Sequence, residues 1–159
     1  MDWDTILSFL CVIVSGYGAY KSNIYYKKSK QLTTYAHKNT AYSEIKKVIA
    51  VTNEILKQAS PHRERGTNRA KEISRLGLSI RASLNVIREQ LSNENCETIL
   101  ITLNSNEVRD YVESLITCSV LPDGVFCIDQ QFHNFETAIN IVQTELKKRL
   151  EENEEELSV

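Results

Sequence analysis

Residues 73–91 read Ile73-Ser-Arg-Leu-Gly-Leu-Ser-Ile-Arg-Ala-Ser-Leu-Asn-Val-Ile-Arg-Glu-Gln-Leu91. Ile73, Leu76, Ile80, Leu84, Ile87 and Leu91 recur in steps of three and four, the spacing that puts side chains on one face of an α-helix. The other faces of this segment, about Arg63 to Leu91, carry Arg65, Arg69, Arg75, Arg81 and Arg88. One side is therefore apolar and the remainder cationic, and the arginines form a possible basic binding face. A solvated charged surface explains the same pattern equally well.

Similar stripes flank this one. From Gln31 to Ala59, Ile45, Val48, Ile49, Ile55 and Leu56 keep helical spacing until Ser60-Pro61 interrupts it. Val108, Tyr111, Val112 and Leu115 predict a helix to about Ser119, opened by Asn104 with Glu107 three residues on as a capping box. Asp129 is positioned to cap a last long helix with Phe132, Phe135, Ile139, Val142, Leu146 and Leu150 on its inner face. That helix ends in Glu151, Glu152, Glu154, Glu155 and Glu156. A helix C-terminus disfavours negative charge, so this end is expected to fray.

Helices with one apolar stripe each can bury those stripes only against one another, so the body reads as a small antiparallel helical bundle. A small α+β unit within residues 96–130 is the alternative, pairing Thr98–Leu103 with Val125–Ile128. Two strands without a third are marginal. Two prolines and five glycines in 159 residues also favour helices over a turn-rich β fold.

At the start of the chain lies an uncharged run of 16 residues, Thr5 to Tyr20, between Asp2 and Asp4 on one side and Lys21, Lys27, Lys28 and Lys30 on the other. It predicts an all-α protein with a single N-terminal transmembrane helix, its lysine side cytosolic. As a helix it is about 24 Å long against a hydrocarbon core of roughly 30 Å. Trp3, Tyr20, Lys21, Tyr25, Tyr26, Lys27, Lys28 and Lys30 are the interface anchors that would close this deficit. A buried helix of a soluble protein is one competitor. A cleaved signal peptide is another, but it needs a basic leading region where this chain is acidic. Within the run Ser8, Cys11, Ser15, Gly18 or Ala19, and Ser22 share a face, which suits close helix packing in lipid.

The expected organisation is a transmembrane anchor at 1–22, a basic juxtamembrane stalk at 23–44, a cytosolic bundle at 45–150 and an acidic tail at 151–159. Charge divides along the same axis. Residues 21–91 hold fifteen Lys or Arg against five Glu, a net of +10, whereas residues 92–159 hold four against fourteen acids, a net of −10. The two halves can attract each other, and the basic half suits anionic lipid headgroups. A nucleic-acid partner is disfavoured, because the whole chain carries a net charge of −2.

Motifs for chemistry are weak. Gly77-Leu-Ser-Ile-Arg81 lacks the second glycine of a nucleophile elbow, and Ser43-Glu-Ile-Lys46 lacks the companions of a Ser-x-x-Lys enzyme. Cys118, Cys127 and His133, with Asp123 and Asp129 between them, lack the closely spaced ligand pair of a structural zinc site. The four cysteines read as reduced thiols. The sequence thus points to a non-enzymatic, cofactor-free interaction protein in the cytoplasmic membrane, its N-terminus outside. Its helical bundle would meet a protein partner or a second copy. The alternative is a small membrane effector of toxin, holin or defence type whose apolar helix oligomerises and disrupts the bilayer.

Overall fold

The computed structural model describes residues 3–58, 67–117 and 128–158, and every element among them is helical. The helices are α1 (Trp3–Gln58), α2 (Thr67–Leu91), α3 (Glu97–Leu103), α4 (Asn106–Thr117) and α5 (Ile128–Ser158). The second half of α1 packs on α2 and α5, α2 on α4, and α4 on α5, with short α3 laid against α5. The stripes read from the sequence are the core: Ile45, Val48 and Ile55 of α1, Ile80, Leu84 and Ile87 of α2, Tyr111 and Leu115 of α4, Phe135, Ile139 and Val142 of α5. Tyr111 stacks on Phe135 at 4.4 Å between ring centroids and tilts against Phe132 at 6.1 Å.

The bundle is as expected, but the membrane-spanning helix is not. Among the described residues no helix is long and apolar enough to cross a membrane. Of the stretch assigned to the span, 1–22, residues 3–22 belong instead to one 56-residue helix that runs without interruption through the stalk and into the bundle. Its polar content explains the failure. After Val14 the chain reads Ser15, Gly16, Tyr17, Gly18, Ala19 and Tyr20, and Lys21 then places a charge about 24 Å from the start of the run. The side chains of Asp4–Leu7, Phe9 and Leu10, like residues 1 and 2, lie outside the described residues.

The α+β alternative also falls. Glu97–Leu103 forms two turns of helix with Ile99 and Leu103 buried, so Thr98–Leu103 supplies no strand, and Val125–Cys127 lie outside the described residues. The α3–α4 corner differs by one position from the capping-box expectation. Asn104 closes α3, its N–H reaching Leu100 O at 3.0 Å and Ile101 O at 3.2 Å. Ser105 precedes α4 and its carbonyl accepts the first bond of that helix from Arg109 N at 3.1 Å. Asp129 falls in the first turn of α5, its side chain outside the described residues.

The acidic end of α5 is helical as far as Ser158 rather than frayed. Lysines one turn earlier offset its carboxylates, Lys147 with Glu151 at 3.6 Å and Lys148 with Glu152 at 3.9 Å. Glu154 accepts a 2.7 Å hydrogen bond from the Tyr35 hydroxyl of α1. The acidic half of the chain is thus held against the basic half where α1 enters the bundle.

Candidate interaction surface

Two lengths of α1 must be distinguished. From Tyr35 onward, Lys38, Ala41, Ile45, Val48, Thr52 and Ile55 are buried in steps of three and four. Before Tyr35 the same cadence continues backward through Ile24, which is half-buried, and then through Tyr20, Tyr17 and Ile13, which are exposed. Ile13 is 52% exposed, Tyr17 61% and Tyr20 65%, and Val12, Val14, Tyr25, Tyr26 and Leu32 are exposed as well. A side-chain carbon added at Gly16 or Gly18 would meet no atom within 4 Å. The helix from residue 3 to residue 34, about 48 Å long, is therefore an arm whose side chains at 11–33 are exposed except at half-buried Ile24.

All the small residues of the expected seam, Ser8, Cys11, Ser15, Gly18, Ala19 and Ser22, lie on this arm and are exposed. They face almost opposite to Ile13, Tyr17, Tyr20 and Ile24, because two positions separate the stripes and each position turns the helix by about 100°. The anchors Trp3, Tyr20, Tyr25 and Tyr26 are exposed too, as are Lys21, Lys27, Lys28 and Lys30. Lys21 Nζ sits 5.7 Å from the Tyr17 ring centroid, a cation–π contact one turn along the helix.

A polar cluster marks the root of the arm. His37 Nδ1 and Glu94 Oε1 are 3.2 Å apart, tying α1 to the α2–α3 turn. Arg149 of α5 donates to Asn95 O in that turn, pairs with Glu145 Oε1 at 2.8 Å and lies 3.8 Å from Cys96 Sγ. Burial pushes the Cys96 thiol above its ordinary pKa despite Arg149 and Lys38 nearby, so the group is held as an inert thiol. From the sequence His37 reads as a lone exposed histidine on the stalk and Cys96 as one of four reduced thiols; the contact that gives His37 a partner spans 57 residues and is not visible there.

The basic face is largely consumed within the molecule. Arg75 forms a fork with Glu72, its Nε at 3.0 Å from Oε2. Arg81 meets Glu113 of α4 at 3.2 Å. Arg88 donates to Asn85 Oδ1 at 3.0 Å and to Leu103 O at 2.6 Å, placing a cation on the C-terminal carbonyls of α3. Burial, reinforced by Arg81, pulls the Arg88 pKa down. Arg65 and the Arg69 side chain lie outside the described residues.

The weak motifs acquire structural roles instead. A Cβ on Gly77 would lie 2.8 Å from Leu115 Cβ, so this glycine marks the closest approach of α2 and α4. Ser74, one turn earlier, donates to Ile116 O at 2.7 Å and satisfies a carbonyl in the last turn of α4. Lys46 lies over the Tyr42 ring at 4.3 Å, while Ser43 is exposed on the same helix. His133 is exposed on α5, and Cys118, Cys127 and Asp123 lie outside the described residues. Among the described residues no three His, Cys, Asp or Glu side chains are grouped to hold a metal ion. Shallow grooves flank α3, one lined by Thr98, Thr102, Thr137, Asn140, Ile141 and Thr144.

No family model, curated protein or solved structure matches this chain.

Proposed function

We propose that this chain is an interaction protein, in which a packed helical bundle holds out a long helix for a protein partner or a second copy to grip. The observation that carries this reading is the continuity of α1. One helix has its apolar stripe buried from Lys38 to Ile55 and uncovered at Ile13, Tyr17 and Tyr20. Large apolar groups standing free in water are unfavourable by about 25 cal/mol per Å² of surface that a partner could cover. Single helices are also marginal without packing. Burial of this stripe against another helix meets both demands. The lysines Lys21, Lys27, Lys28 and Lys30 give the base of the arm a positive collar, which favours partners of low or negative charge there.

The test is site-specific photo-crosslinking in the full chain within cells. A photoreactive residue at Tyr20 is expected to give a discrete protein adduct, while one at Ala82, exposed on α2, gives none. Equal, diffuse labelling at both positions would contradict the reading.

A further inference from the structure

We infer that the arm's partner is a second copy of this chain, bound antiparallel, so that Ile13 of each arm packs on Ile24 of the other and Tyr17 on Tyr20. This rests on the interaction reading above and names its partner. The stripe has the order Ile13, Tyr17, Tyr20, Ile24, exposed at the first three positions and half-buried at Ile24, with steps of four, three and four. That order is the same in both directions. Its midpoint falls between Gly18 and Ala19. Two arms laid head to tail about that point match stripe to stripe over residues 13–24. Each tip then ends where the partner's α5 and α2–α3 turn begin to cover α1. A twofold contact requires this self-complementarity, in which position i meets j and j meets i. An unrelated partner helix does not.

Charge selects the direction. The four lysines of the arm lie between positions 21 and 30, and a parallel pair would set them side by side. Head to tail, the two cluster centres are separated by about 24 Å along the axis, well beyond a Debye length of roughly 8 Å, and only the two Lys21 residues, about 8 Å apart along the axis, come near that length. In the same register Asp4 falls level with position 33 of the partner, one turn from Lys30. A strip about 48 Å long on helices about 10 Å across covers on the order of 1,000 Å² for the pair, the lower bound for a specific interface. In water, burial of large side chains drives association, so the Ile and Tyr face governs and the small-residue face looks outward.

Disulfide trapping in the full chain tests the arrangement. Cys11, Cys118 and Cys127 are replaced by Ser, and the buried Cys96 is kept. With I13C and I24C together, air oxidation is expected to convert most of the chain into a covalent dimer. With I13C alone no dimer forms, because the two thiols stand about 16 Å apart. A covalent dimer from I13C alone means parallel arms and overturns the inference. Sedimentation of the unaltered chain is the second measurement, with a dimer expected and Tyr17→Asp raising its dissociation constant at least about a hundredfold. A monomer at all concentrations overturns the inference, as does flotation of monomers with anionic vesicles. Should Tyr20 then crosslink to a different protein, the interaction reading survives without its homodimer.

Discussion

The two lengths of α1 share one cadence and have opposite surroundings. Between Lys38 and Ile55 the stripe is sealed by α2 and α5; from Ile13 to Tyr20 the same stripe meets solvent. The contrast separates what makes a helix from what keeps it. Spacing and the absence of proline carry α1 through all its 56 residues, whereas neighbours are supplied only to the second length. An apolar stretch therefore cannot be read for its environment from hydropathy alone. The arm is too polar after Val14 to span a bilayer, yet it leaves Ile13, Tyr17 and Tyr20 in solvent.

The largest effect expected is a difference between matched truncations. Ile45→Ala opens a cavity in a fully buried site and should cost about 2 to 4 kcal/mol of bundle stability, measured by urea denaturation. Ile13→Ala should change the same midpoint by under about 0.5 kcal/mol while weakening association. Equal losses would erase the distinction between the two lengths.

Alkaline stability sharpens it further. Burial pushes the Tyr111 phenol up to about 12. The folded state holds that proton where the unfolded chain, with a pKa near 10, has released it. Stability from this group is thus complete below pH 10 and is lost as pH rises from 10 toward 12, by about 2 to 3 kcal/mol in all. Tyr111→Phe should flatten the fall, whereas Tyr17→Phe, in the exposed arm, should leave it unchanged; denaturation midpoints at several pH values will show it.

Next in size is Gly77→Ala. The added methyl meets Leu115 and Ile116 and should destabilise the bundle by about 1 to 3 kcal/mol, read from a thermal melt, while Gly18→Ala in the arm should not. The smallest effect belongs to the arm's root. Glu94→Gln weakens the partly exposed His37 contact and should lower stability by less than about 1 kcal/mol, read from a denaturation midpoint.

Most of the bundle was legible in the sequence. The residues Ile73 to Leu91 that fixed the helical spacing of α2 are its buried face, and Tyr111 and Phe135 pack where their stripes placed them. What could not be read there depends on distant pairing. Asn104 and Ser105 both suit a helix start, and only the neighbouring carbonyls of α3 decide between them. Gly77 resembled a fragment of a catalytic turn until α4 was beside it. The candidate surface was half legible: its residues were named from the run that begins the chain, but a spanning segment was inferred from the same apolar letters that make an arm. Lys21 and the glycine- and tyrosine-rich end of the run were the signal against spanning.

Hydrogen exchange along α1 of the full chain, over a dilution series from high to low micromolar, tests the central claim most directly. Amides of residues 38–58 should stay protected at every concentration, while those of residues 5–30 lose protection together on dilution. Protection that is uniform along α1 and independent of concentration would contradict the account.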